Sequence, residues 1–220
     1  MLILTCPSQL QRLEVALRRS LPLALPVHGA VMNINRGNPG EFEVAVDSWP
    51  DFGAVLARRS GEVAGGDSFF LGGGGDTHDT RTHSASGNNP WVAPQMPLDD
   101  CYRNMHAAFY RDLTAAPLFR LDPGVRVGSL DPSHADLLNE TWAYGGNERS
   151  RRYLAEVLGR FPSVCLQDEE RRPFSWVLRD PYGTGAQGYT LPTHRRRGYM
   201  KTVLILAARR DHALGFPIFG

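Results

Sequence analysis

Lysine is almost missing: Lys201 stands alone among 24 basic residues, so arginine supplies the positive charge. With 23 acidic residues the net charge is +1, and so even a balance supplies no global field to draw the chain to nucleic acid or an anionic membrane. Cysteine is scarce. Cys6, Cys101 and Cys165 are far apart, match no metal-ligand spacing and cannot all pair, which points to a reducing compartment. No apolar run reaches the length of a membrane span. The opening Met1-Leu2-Ile3-Leu4 is too short for a signal-peptide core and lacks a basic flank. What remains is ample for a core: 42% of residues are hydrophobic, and 220 residues allow one large domain or two small ones.

Residues 1–59 have the patterning of a folded region. Ser8 with Gln11 reads as a capping box that starts a helix after Pro7, and Leu10, Leu13 and Leu17 follow at helical spacing until Pro22. Residues 8–19 are basic and amphipathic, with Arg12, Arg18 and Arg19. Two readings stand: a mitochondrial address, or the first helix of the fold. Val27–Asn35 reads as a strand, Arg36–Gly40 as a turn, Glu41–Val46 as a return strand and Ala54–Ala57 as a third.

Residues 60–98 break the pattern. Gly65-Gly66, Gly72–Gly75 and Ser84–Asn89 have no periodicity, and Pro90, Pro94 and Pro97 follow. Such a stretch buries too little apolar surface to offset roughly 1–2 kcal/mol of backbone entropy per residue, so it reads as a disordered insert. The glycine run lacks the Gly-Lys-Ser/Thr of a phosphate loop, and His78 and His83 have no Cys, His or carboxylate quartet for a metal. Residues 99–122 regain helical character through Met105, Ala108, Phe109 and Leu113.

Residues 123–220 show the clearest order. Asp131 caps a helix with Pro132 at its first position, running to about Trp142, and Asn147 caps a second after Gly145-Gly146. Three strands follow at Ser163–Gln167, Phe174–Arg179 and Ala186–Leu191. A helix starts near Gly198 with Val203, Leu204, Ala207 and Ala208 inward and ends at Gly215; Phe216–Phe219 starts another strand. The junction Leu191-Pro192-Thr193-His194-Arg195-Arg196-Arg197-Gly198-Tyr199-Met200 takes a strand through a basic loop into a helix. First-turn amides lack intrahelical partners and lie at the positive end of the helix dipole, which suits a pyrophosphate. Gly198 permits close approach and the arginines add charged donors; the competing reading is a solvated basic turn.

Arg195–Gly198, an Arg-x-x-Gly pattern between strand and helix, resembles the coenzyme A loop of GNAT acyltransferases, with Met200 where that loop usually has Gly or Ala. Val27–Pro39, Asp47–Phe52, Gly145–Arg149, Phe161–Cys165, Gly188–Pro192 and Leu214–Pro217 resemble, in order, the motifs of glycine N-acyltransferases. The resemblance implies an α/β, GNAT-like mixed sheet flanked by helices, truncated at the C-terminus and interrupted by the disordered insert. Its regions would be 1–59, an N-terminal glycine N-acyltransferase region; 60–98, the insert; 99–122, a short helical remnant; and 123–220, an incomplete acyl-CoA-binding domain.

The implied activity is acyl transfer from acyl-CoA, as co-substrate, to the amine of glycine in the mitochondrion, with longer-chain donors favoured. No metal, nucleic acid or membrane span is expected. Leu191, Arg195, Arg196, Arg197, Gly198, Tyr199 and Met200 would bind the coenzyme A. No catalytic residue is assigned. Thr184 and Thr193 stand where the resemblance expects Glu, and Glu148, the nearby acid from a matched motif, reads equally as a first-turn residue. Cys165 sits mid-strand, where a buried thiol is inert, and His194 is given no proton-transfer role. The alternative is a catalytically inactive truncated form that keeps at most the coenzyme A loop.

Overall fold

Residues 1–21, 23–60, 69–72, 81–84 and 121–217 are described by a computed structural model. The chain divides into two compact units, Met1–Ala107 and Ala108–Gly220.

In the first unit, strand β1 (Leu2–Ile3) leads into helix α1 (Pro7–Arg18), which buries the leucine stripe Leu10, Leu13 and Leu17. The helix starts earlier than the Ser8 capping box predicts. Cys6 is the N-cap and Pro7 takes the first position, where a missing N–H costs nothing. It ends at Arg18, before Pro22, which lies outside the described residues. The predicted strand at Val27–Asn35 is instead helix α2 (Leu25–Asn35). Its residues are buried in succession from Leu25 to Asn33, and an apolar run buried all round has no periodicity to separate helix from strand. Pro26 in its first turn, bracketed by Pro22 and Gly37, is the signal that favours a helix.

The predicted turn follows, with Gly37 (φ 101°) and Asn38 (φ 51°) in the left-handed region. The Asn38 amide accepts from Phe42 N–H and donates to Phe42 O, both at 2.8 Å, closing the chain into β2 (Phe42–Val46). Strands β3 (Ala54–Arg59), β4 (Phe69–Gly72) and β5 (Arg81–Ser84) complete an antiparallel sheet in the order β1-β2-β3-β4-β5. Val44 pairs Ala57, Leu56 pairs Phe70 and Phe70 pairs His83. The sheet thus continues by two strands into the 60–98 segment expected to stay outside the fold; the rest of that segment, and the helix expected around Met105–Leu113, lie outside the described residues.

The second unit opens with β6 (Arg126–Gly128) and a single 3-10 turn, Pro132–His134, before α3 (Ala135–Thr141). As expected, Asp131 caps the turn, its carboxylate accepting from Ser133 N–H at 2.8 Å. Gly145 closes the link to α4 (Glu148–Arg160): a Cβ there would lie 2.0 Å from the Asn139 carbonyl oxygen, so no other residue fits. Asn147 caps α4 through Ser150 N–H at 2.9 Å, and the Ser150 hydroxyl donates to Asn139 Oδ1 at 2.6 Å, pinning α4 to α3.

Strands β7 (Ser163–Gln167), β8 (Pro173–Arg179) and β9 (Gly185–Thr190) follow, then helix α5 (Tyr199–Ala213). The sheet runs β6-β7-β8-β9, and every pairing among the described residues is antiparallel. The strand expected after α5 lies partly outside the described residues. One face packs Cys165, Trp176 and Leu178 against Leu138, Leu154, Val157 and Leu158 of α3 and α4. The other packs Val164, Leu166 and Val177 against Tyr199 and Val203 of α5. Within α5 the buried side chains include Ile205 and Ala208, while Leu204 and Ala207, expected inward, are half-buried. Gly215 (φ 78°) ends the helix as predicted, with Phe216 N–H bonded to Asp211 O at 2.9 Å.

His28 of α2 is 3% exposed, and both ring nitrogens are enclosed without a hydrogen-bond partner. Burial pushes its pKa down, only partly opposed by the Glu14 carboxylate, so the folded state holds the neutral ring. A base with a folded pKa below its unfolded one contributes full stability above the unfolded value, about 6.5, and loses it as pH falls further. In chemical denaturation, the stability difference between wild type and His28→Leu should shift in favour of the variant as pH drops below about 6.5. A difference independent of pH would contradict the buried neutral imidazole.

Candidate functional site

Strand β9 delivers the chain to the head of α5 through a loop with defined geometry. Leu191 N–H still bonds Phe174 O at 2.8 Å, after which Pro192–His194 make one 3-10 turn. The His194 ring stacks on Phe174 at 4.3 Å and 13°, and the Thr193 hydroxyl lies 2.9 Å from His194 Nδ1. Arg196 (φ 65°) and Gly198 (φ 78°) are then left-handed on either side of Arg197. Alternation of handedness turns successive N–H groups towards a common side, a concave nest that suits anions. Among the described residues, the backbone amides of Arg196, Arg197, Gly198, Tyr199 and Met200 make no hydrogen bond. No acidic side chain lies in the first turn of α5, so nothing opposes the dipole there. A Cβ built on Gly198 meets no atom within 4 Å: the space above the nest is open.

The residues expected to bind coenzyme A are not equivalent in this arrangement. Arg196, Arg197 and Gly198 are exposed at the helix head. Arg195 turns back on the strand, donating to Thr190 O at 3.0 Å and Tyr189 Oη at 3.1 Å with its guanidinium over the Tyr189 ring. Tyr199 offers its amide only, because its ring is buried against Phe174 and its hydroxyl donates to Asp122. Burial and the Asp122 carboxylate raise the Tyr199 pKa. Leu191 is half-buried against the cores on both sides of the sheet, and the Met200 side chain would lie 3.6 Å from a Cβ on Gly188.

Structure adds two features that the sequence reading missed. Trp176 pairs Tyr189 and Leu178 pairs Ala186, which leaves Gln187 and Gly188 together opposite Val177 as a β-bulge. Gln187 is left-handed (φ 47°), and its side-chain Oε1 is buried with no hydrogen bond. The glycine at 188, inside an otherwise strand-like run, is the only trace of the bulge in the sequence. The second feature is Asp180 at the β8–β9 turn. Its Oδ1 accepts from Tyr182 N–H at 2.9 Å and Thr184 N–H at 2.8 Å, and burial of the carboxyl group raises its pKa to about 6.

The remaining candidates stand apart from these features. Cys165 is fully buried, and desolvation raises its pKa to about 11, so it is the inert thiol expected. Glu148 is exposed in the first turn of α4, paired with Arg152 at 3.2 Å. The Thr184 amide serves Asp180, and Thr193 is exposed beside the loop. Among the described residues no group of three or more His, Cys, Asp and Glu could hold a metal ion, and no helix is long and apolar enough to cross a membrane.

The second unit thus runs as a strand, two helices, three further antiparallel strands, a loop and a helix, a GNAT-like α/β fold. Residues 1–69 and 118–162 match the aralkyl acyl-CoA:amino acid N-acyltransferase family, just over half of the chain. A glycine N-phenylacetyltransferase of Bos taurus is 30% identical across 97% of this chain and 86% of its own length. The glycine N-acyltransferase of Homo sapiens is 29% identical across all of this chain and 88% of its own. The chain therefore belongs to the aralkyl acyl-CoA:amino acid N-acyltransferase family. An X-ray structure of a Drosophila protein superposes with a TM-score of 0.64 at 12% identity, over 95% of this chain and 84% of that one, and shares its fold. The family match leaves out 70–117 and 163–220, the first overlapping the insert expected at 60–98. The Bos taurus alignment spans 260 positions against 220 residues here, so that relative has segments this chain lacks.

Replacing Gly198 tests the nest. A branched side chain strains the left-handed backbone and fills the open space above the amides. Gly198→Val should abolish the rise in melting temperature produced by acyl-CoA while the protein still melts cooperatively; an undiminished rise would show that the nest is not where the ligand's phosphates sit.

Proposed function

We propose that this chain transfers the acyl group of an acyl-CoA to the amine of glycine, giving N-acylglycine and coenzyme A. The observation that supports the reading most is the row of five unpartnered amides at the β9–α5 junction, in a chain of this family. Five N–H groups, a helix dipole and the exposed Arg196 and Arg197 suit a pyrophosphate. From there the pantetheine arm would run along β9 towards the bulge. Relatives named for glycine acylation supply the acceptor.

Such a reaction needs no covalent intermediate. Holding amine and thioester together converts a bimolecular encounter into an effectively unimolecular one. The amine attacks the thioester carbonyl, backbone N–H groups stabilise the oxyanion, and the thiolate leaves. A second reading, binding of acyl-CoA without turnover, rests on Thr184 and Thr193, whose hydroxyls cannot serve as bases near neutral pH. The proposed compartment is the mitochondrion, as the resemblance implies. A tagged chain should co-fractionate with a matrix marker, and a cytosolic distribution would overturn that placement.

The purified chain, given glycine and either phenylacetyl-CoA or a long-chain acyl-CoA, should release coenzyme A thiol in step with N-acylglycine. Acyl-CoA at about 100 times its dissociation constant should stabilise the folded state by about 2.7 kcal/mol. Stabilisation without product would favour the second reading, and neither effect would sink both.

A further inference from the structure

We propose that Asp180 is the catalytic base that accepts the proton from the ammonium group of the acceptor amino acid, an assignment that rests on the acyl-transfer reading above. β9 runs from the β8–β9 turn to the loop that carries the amide nest, and its six residues, at roughly 3.3 Å each, span at most about 20 Å, less where the bulge shortens it. An extended phosphopantetheine arm is of comparable length. With its phosphates on the nest and its arm along β9, a thioester arrives at the turn Asp180-Pro181-Tyr182-Gly183-Thr184, whose one acid is Asp180.

The turn holds that carboxylate in place. Oδ1 is held by Tyr182 and Thr184 N–H, and the Thr184 hydroxyl also bonds the group. Three donors leave acceptor capacity on a carboxylate with about four lone-pair sites. Burial raises its pKa to about 6, opposed by the hydrogen bonds from Thr184 and Tyr182 and, less, by Arg179, so the group is ionised at neutral pH yet basic enough to take a proton. The charged groups facing it are Arg179, at the end of its own strand, and behind that Asp211 and Arg210 of α5. β9 contributes none, reading Gly-Ala-Gln-Gly-Tyr-Thr.

Gln187 lies on the same strand. Three residues beyond Thr184, its buried Oε1 lacks any donor and its backbone is left-handed. A buried acceptor without a partner is costly, and an N–H of the bound ligand would satisfy it. β9 thus carries an unfilled hydrogen-bond acceptor three residues beyond the turn that holds Asp180.

The protons balance. An N–H bond of the ammonium breaks as an O–H bond forms on Asp180, and the neutral amine attacks the thioester carbonyl. The C–N bond forms and the C–S bond breaks. The second proton lost from nitrogen goes to the departing thiolate as coenzyme A thiol, and Asp180 returns its own to solvent.

Asp180→Asn separates this role from a purely structural one, because the Asn carbonyl oxygen still accepts from Tyr182 and Thr184 N–H. With the full chain, kcat/KM for glycine should fall about 100-fold or more at neutral pH. The limb of the pH profile near 6 should vanish, and the stabilisation by acyl-CoA should persist. Wild-type kcat/KM and an unchanged profile in the variant would overturn the assignment while leaving acyl transfer intact. A wild type that makes no N-acylglycine would overturn both. Should the variant not fold, the wild-type profile decides alone: a kcat/KM for glycine that is flat through pH 6 rules Asp180 out.

Discussion

The second unit is organised around one buried ion pair. Arg179 closes the central strand β8 and meets Asp211, near the end of α5, at 3.2 Å; both side chains are almost fully enclosed. The Phe216 ring lies 4.1 Å from the guanidinium, and burial lowers the Arg179 pKa against the pull of Asp211. Arg210 extends the network, donating to Ser163 O at 2.8 Å and approaching Asp211 at 3.4 Å. Strands β7 and β8 and the far end of α5 are thereby tied at one place. Losing one partner of such a pair strands a charge and costs about 3–5 kcal/mol, so the tie is asymmetric in its energetics: valuable intact, damaging when half removed.

That tie bears on the loop at the opposite end of the helix. α5 is a rigid rod of fifteen residues. Fixing its C-terminal turn to the sheet and packing Tyr199 and Val203 over Val164, Leu166 and Val177 determines where its first-turn amides stand. Arg196 and Gly198 supply handedness, and the strand below, anchored by Ser175–Thr190 hydroxyl pairing at 2.8 Å, supplies position.

Much of this was legible in the sequence. The caps Asp131 and Asn147, the three strands after Phe161, the start of α5 after Gly198 and its stop at Gly215 follow from local chemistry: side-chain acceptors beside orphan amides, and glycine where φ turns positive. Helix α2 was misread because Val27–Asn33 is buried on every side and so carries no amphipathic signature. The strands Phe69–Gly72 and Arg81–Ser84 were missed because glycine-rich flanks mask their pairing, which is a tertiary property of β3. At the site, the composition of the basic loop was visible but the recoil of Arg195 onto Tyr189 was not, since it depends on where the strand puts that ring. Asp180 carries no mark in the sequence beyond its place between two strands; only enclosure by the fold changes its acidity.

The bulge at Gln187–Gly188 has a consequence for how this chain can vary. Side chains alternate along a strand, and the bulge resets that alternation so that Tyr189 meets Trp176 and Gly188 meets Met200. Everything downstream, through Leu191 to the head of α5, inherits this phase. Loss or gain of a single codon between Ala186 and Thr190 would exchange the two faces and turn the loop away from its helix. Within one chain, then, point substitution and change of length are two separate currencies of variation, and β9 admits only the first.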